Sequence, residues 1–130
     1  EHCIAKWDDS GKTLAKWQRI AREAAKQSRR SFVPDVIAAI TTNQLIEELK
    51  SYDAVFVLHE TAEVSLAAAT IPQKGNIAVV TGPEGGISPT EIDVFTQAGF
   101  QIVRMGETVM RTSTAGAVAM AVIAAKTARW

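Results

Sequence analysis

VVTGPEGGISPTEIDVFTQAGFQIVRMGETVMRTSTA, residues 79 to 115, reads as an apolar strand, a glycine-rich turn, a capped helix, a second strand and a polar turn that leads into another helix. Three glycines lie within Gly82-Pro83-Glu84-Gly85-Gly86, so the backbone there can bend sharply and approach another group closely. Ser88 suits a helix N-cap, Pro89 the first helical position, and Glu91 can complete a capping box. Ala98-Gly99 closes that helix, and Phe100-Gln101-Ile102-Val103 resumes as a strand. A strand-helix-strand unit favours a parallel sheet, and in open sheets of this kind ligands bind beyond the carboxyl ends of the strands. Gly82–Gly86 and Met105–Thr114 both fall at such ends. Taken alone, a glycine-rich turn can also be a tight connection and nothing more.

Two well-known loop chemistries are excluded. A phosphate-binding P-loop needs Lys-Ser/Thr after its last glycine, whereas this turn continues Ile87-Ser88. The dinucleotide fingerprint Gly-x-Gly-x-x-Gly is absent, and Glu84 inside the turn would repel a phosphate. The turn is better suited to a ligand that offers hydroxyls or positive charge.

Thr81-Gly82-Pro83-Glu84-Gly85-Gly86-Ile87-Ser88 with Glu91-Ile92, followed by Met105-Gly106-x-x-Val109-Met110-Arg111-Thr112-x-Thr114-Ala115, resembles the RsmE family of 16S ribosomal RNA uridine-N3 methyltransferases. That family belongs to the knotted SPOUT methyltransferases. The likeness extends to Trp17-x-x-Ile20, Ala24-x-x-Gln27-x-x-Arg30, Val33-Pro34 and Val57-Leu58-His59-Glu60, so it takes in nearly the whole chain. Ser113 departs from it, standing where the family has a glutamate. The resemblance implies an α/β fold, a mostly parallel sheet flanked by helices with a carboxy-terminal trefoil knot, and S-adenosylmethionine (SAM) as cofactor. It implies a cofactor site of Leu58, His59, Glu60, Thr81, Gly82, Pro83, Glu84, Gly85, Gly86, Met105, Gly106, Val109, Met110, Arg111, Thr114 and Ala115. Leu58, Ile87, Met105, Val109 and Met110 would give the adenine an apolar slot.

For the chemistry, Arg111 is the first choice to stabilise negative charge on the uracil oxygens, since a guanidinium never neutralises. The alternative is a salt bridge from Arg111 to Glu84 that only ties the loops together. Glu84 is the nearest plausible base, or else it binds the cofactor or orients Arg111. Other readings are a different SPOUT activity, such as ribose 2′-O-methylation, and an RNA-binding module without turnover.

The composition allows one globular domain spanning 1–130, because 130 residues with 47% hydrophobic content can bury a real core. No 18-residue apolar span is present, so no membrane segment is expected. The opening Glu1-His2-Cys3-Ile4 is unlike a natural start and reads as a fragment, lacking the amino-terminal RNA-binding barrel that the family carries. Cys3 is the single cysteine, which excludes an internal disulfide and a thiolate zinc cluster and fits a reducing cytoplasm. With His2 and His59 the only histidines, no metal is expected.

Net charge is zero, yet Lys12, Lys16, Arg19, Arg22, Lys26, Arg29 and Arg30 stand against Glu23 alone, a local +6. At about 100° per residue these cations share an arc of roughly 140°, with Leu14, Trp17, Ile20, Ala21 and Ala24 opposite. Such a helix either docks its apolar side and offers phosphates its outer face, or carries a solvated charged face. Arg19, Arg22, Lys26 and Arg30 are the expected RNA contacts, with Arg30 assigned through the resemblance. Trp17 lies in the apolar arc and is read as a core anchor.

Pro34 limits residues 31–38 to an edge strand or an extended connection. Thr42–Leu49 has helical spacing, and Ala54–Leu58 is a continuous apolar run of the buried parallel type with His59-Glu60 at its end. A histidine there can accept a proton or serve as a structural hydrogen-bond partner. Ser65–Thr70 suits one helical turn, and Asn76 begins the strand that enters the glycine turn. From Ala115 to Ala125, AGAVAMAVIAA leaves no helical face polar, so the helix must be covered on several sides. A homodimer interface on this helix is expected, in keeping with the SPOUT resemblance, and a central core helix is the alternative. The expected partner is 16S ribosomal RNA in the small ribosomal subunit.

Overall fold

The computed structural model describes residues 11–129, so the readings made of His2 and Cys3 lie outside the described residues. Residues 11–41 and 42–129 fall into separate compact units.

In the first unit, α1 (Lys12–Gln27) starts after Gly11, which adopts a positive φ of 72° and makes no side-chain cap. It ends in a Schellman-type closure: Arg29 takes φ 54°, its amide bonds the Lys26 carbonyl, and the Arg30 amide bonds the Ala25 carbonyl. This stops the helix before Arg29 and Arg30, so the seven cations do not share one helical arc. Lys12, Lys16, Arg19, Arg22 and Lys26 remain on α1. Trp17 is 48% exposed, against the core anchor expected of it, and Ala25 is the buried residue of the helix. Beyond it the chain runs without regular structure from Val33 to Thr41, the extended connection rather than the edge strand that Pro34 allows, and Gln18 donates a 3.2 Å hydrogen bond to the Val36 carbonyl.

The second unit is a three-stranded parallel sheet with helices on both faces. The strands β1 (Ala54–Leu58), β2 (Ile77–Thr81) and β3 (Gln101–Val103) lie in the order β2-β1-β3. Leu58 pairs with both Thr81 and Val103, so all three strands end at the same level. The unit formed by β2, the helix α3 (Pro89–Gln97) and β3 is a parallel crossover as its sequence predicts, but β1 is inserted between its two strands.

Alternation along β1 divides the core. Ala54, Phe56 and Leu58 join Ala115, Ala119 and Ile123 of α4 (Thr112–Thr127) and Leu66, Ala69 and Ile71 of the loop between β1 and β2. Val55 and Val57 face the other way, against Ile46 and Leu49 of α2 (Thr42–Leu49) and Phe95 and Phe100 around α3 (Pro89–Gln97). The Phe95 and Phe100 rings stack with centroids 5.9 Å apart. Being covered on both faces, β1 needs no polar alternation, which is why its sequence is a continuous apolar run. Ser65 forms a parallel bridge to Arg104, and the Ala69 amide then bonds back to the Ser65 carbonyl in a single turn.

Candidate functional site

Because the strands end together, the turns that follow them converge. After β2, the Gly86 amide bonds the Pro83 carbonyl at 2.8 Å, closing a turn in which Gly86 has φ 76°. Gly82 is required for a different reason. A methyl group on it would sit 2.8 Å from Cγ1 of Ile87, so the loop folds back too tightly for a side chain. The turn is anchored by the capping box read from the sequence: Ser88 Oγ accepts from the Glu91 amide, and Glu91 Oε2 accepts from the Ser88 amide at 3.1 Å. Thr42 Oγ1 adds a 3.3 Å bond to Glu91 Oε1. Hydrogen bonds from the Ser88 hydroxyl and then its amide hold the Glu91 carboxyl below its ordinary pKa, with burial opposing them.

After β3, residues 105–111 run without regular structure to Arg111, which has extended backbone (φ −60°, ψ 142°) and caps α4 through its carbonyl. Amides of Thr114 and Ala115 both bond that carbonyl at 2.9 Å. Thr112 Oγ1 donates a 2.8 Å hydrogen bond to the Gly82 carbonyl, joining the second loop to the first. After β1, the His59 amide bonds the Val103 carbonyl at 2.9 Å, and the His59 ring Nδ1 lies 3.0 Å from Thr61 Oγ1.

These three ends enclose a cleft of about 490 Å³. Leu58, His59, Glu60, Thr81, Gly82, Pro83, Glu84, Gly85, Gly86, Met105, Gly106, Val109, Met110, Arg111 and Ala115 line it, as does Ile87. Thr114, grouped with them from the sequence, is not among the residues that line it. Thr108, Thr112 and Ser113 line it in addition. The spacing of a polar loop gives no sign of which hydroxyl turns inward, and the bond from Thr112 to Gly82 spans too much sequence to be read from pattern. Glu84 and Arg111 are both exposed at the rim, and no ion pair joins them among the described residues. Both remain available to a ligand. The cleft thus combines an apolar lining of Leu58, Ile87, Met105 and Val109 with carboxylates at Glu60 and Glu84 and one guanidinium at Arg111. It suits a partly apolar ligand bearing positive charge.

In the helical unit, Arg19, Arg22 and Lys26 are exposed at spacings of three and four along α1, on one face. Lys26 is paired with Glu23 at 3.1 Å. Arg30 lies past the helix end, its guanidinium 5.8 Å from the centre of the Phe32 ring.

A model of the family described as RNA methyltransferase domain matches residues 1–124. Ribosomal RNA small subunit methyltransferase E of Mycobacterium bovis is 42% identical over 98% of this chain and 51% of its own length. The protein of the same name from Bacillus subtilis is 31% identical over 95% of this chain and 52% of its own. The chain spans about half the length of these curated relatives. Among solved structures, a ribosomal RNA small subunit methyltransferase E from Neisseria gonorrhoeae bound to SAM superposes with a TM-score of 0.83 at 33% identity, over all of this chain and 52% of that one. A Legionella pneumophila protein in complex with the bound cofactor SAM superposes with a TM-score of 0.88 at 28% identity, over 97% of this chain and 52% of that one.

Proposed function

The chain belongs to the family of RNA methyltransferase domains, and from that premise we propose that it transfers a methyl group from SAM to N3 of a uridine in 16S ribosomal RNA of the small subunit. The observation that carries this reading is the convergence of both motif loops on one cleft. Its volume lies within the range of about 300–1,000 Å³ usual for small-molecule sites. Apolar side chains fit the adenine, the bent backbone of Gly82–Gly86 offers polar groups to a nucleoside, and Glu60 and Glu84 favour a cation.

When bound, SAM supplies an electrophilic methyl carbon on a positively charged sulfur. The protein's task is to hold the uracil N3 in line with that bond and to manage its proton. Glu84 is assigned as the acceptor of the N3 proton, and Arg111 as the group that stabilises the charge this leaves on the uracil oxygens. The displacement needs no Lewis acid, and this reading assigns no metal.

The segment 105–114 is read as threading behind Gly82–Gly86 to form a carboxy-terminal trefoil knot, which the bond from Thr112 to the Gly82 carbonyl supports. Arg19, Arg22, Lys26 and Arg30 are assigned to RNA phosphates. On α4, Ala115, Ala119, Ile123 and Thr127 are buried, while Met120, on another side, is 57% exposed. We assign the uncovered side to a homodimer interface. No helix among the described residues is long and apolar enough to cross a membrane, and with a ribosomal substrate the protein is assigned to the cytoplasm.

Mass analysis of nucleosides from 16S ribosomal RNA incubated with the protein and labelled SAM tests the reaction. Label in 3-methyluridine supports it. Label in a 2′-O-methyl nucleoside would replace uridine N3 with a ribose acceptor, and no label would leave an RNA-binding module.

A further inference from the structure

Arg104 follows β3 and does not line the cleft, yet it joins the two loops that form one of its sides. Its amide donates to the Val64 carbonyl and its own carbonyl accepts from the Leu66 amide, both at 2.9 Å. Its side chain reaches back along the same segment, where Nη1 donates to the carbonyls of Ala62, at 3.2 Å, and Glu63. On the other side Arg104 is joined by its peptide bond to Met105, which lines the cleft together with Gly106, His59 and Glu60. The loop 59–66 contains no regular strand or helix to fix it, and its Ala62 and Glu63 carbonyls take these bonds from one guanidinium.

We infer that Arg104 is a positioning residue for cofactor binding: by clamping the Ala62–Leu66 segment onto the start of the 105–111 loop, it sets the separation of Glu60 from Met105 before the cofactor arrives. The inference rests on the cofactor reading above. Both bonds leave from Nη1, whose two hydrogens are held in the guanidinium plane, whereas an ammonium is a point charge on a flexible stem. The side chain is 29% exposed, so the clamp is partly screened from water. Its contact with Glu107 Oε1 is 3.7 Å and that carboxylate is 93% exposed, which makes the ion pair a bystander.

The consequence is one of populations. If the loops hold the binding arrangement in only about a tenth of molecules once the clamp is weakened, apparent cofactor affinity falls about tenfold with the contacting residues unchanged. Titration calorimetry with SAM on the protein, Arg104→Lys and Glu107→Gln reads this directly, accompanied by melting curves and amide hydrogen exchange without cofactor. The expected result for Arg104→Lys is an affinity about tenfold weaker, faster exchange confined to residues 61–66 and 104–107, and an unchanged melting midpoint. Glu107→Gln should bind as the parent does. Unchanged affinity in Arg104→Lys overturns the inference, and so does failure of that variant to fold or a loss of protection throughout the sheet, which would make Arg104 a residue of the fold. If the unaltered protein itself binds no SAM, the cofactor reading fails first and the inference falls with it.

Discussion

Thr112 Oγ1 donates a 2.8 Å hydrogen bond to the carbonyl of Gly82, thirty residues earlier in the chain. The bond ties the start of α4 to the first bend of the glycine turn, so the two loops that face the cleft are not independent. Replacing Thr112 with valine keeps the shape and removes the donor. A part-buried hydrogen bond is worth about 1 kcal/mol net, so SAM affinity is expected to fall about fivefold. Calorimetric titration of Thr112→Val checks this.

Gly82 and Gly106 both line the cleft but differ in what a side chain would meet. A methyl group at Gly82 lies 2.8 Å from Ile87 Cγ1 and 3.3 Å from the Ile87 amide nitrogen, while at Gly106 nothing lies within 4 Å. Gly82→Ala is expected to destabilise the protein by about 1–3 kcal/mol through overpacking. Gly106→Ala should leave the unfolding free energy unchanged. Denaturant unfolding of the two variants side by side gives the comparison.

The Glu91 carboxyl is held below its ordinary value of 4.5, chiefly by the Ser88 hydroxyl. A depressed folded-state pKa contributes stability that is present above the unfolded value and is lost as pH falls through the folded value. Unfolding free energy should therefore decline below about pH 4.5. In Glu91→Gln the part of that decline owed to Glu91 should vanish. Ser88→Ala, which removes the cap itself, should cost about 1 kcal/mol at neutral pH. Urea denaturation across pH 3 to 7 measures both, as an order-of-magnitude window around the carboxylate range.

Much of this was legible from residue order. Ser88-Pro89-x-Glu91 states a helix start through local chemistry alone, and the structure has both halves of its capping box. Thr42–Leu49 and Ala54–Leu58 form the helix and strand that their spacing and composition predict, with the same ends. What could not be read was set by distant or irregular geometry. The +6 stretch looks like a single helical face, but a left-handed Arg29 ends α1 early, and arginine gives no warning of that conformation as glycine would. β1 lies between β2 and β3 because of pairing that no local pattern records. At the site, the residues that the family motif points to, Thr114 apart, are brought around one cleft.

Arg111 stands at the rim without an ion pair to Glu84, so its charge is available to the substrate. Loss of a preorganised group that stabilises developing charge typically lowers turnover by about 10²–10³-fold. Arg111→Ala is expected to show a loss of that order in kcat with SAM affinity nearly unchanged. Equal losses in both would make it a binding residue instead.

The cations of α1 should act through phosphate contacts. Arg22→Ala is expected to weaken binding of unstructured RNA uniformly across sequences and to reduce the salt slope by about 0.7. Fluorescence anisotropy at several salt concentrations reads the slope, and an unchanged value would mean that this face is only solvated.

The most direct test is a crystal structure of the protein grown with SAM. The account predicts one molecule in the cleft, its nucleoside against Gly82–Gly86 and Met105–Met110 and its sulfur within reach of Arg111. A cofactor bound elsewhere, or none bound while both loops are well ordered, would contradict it.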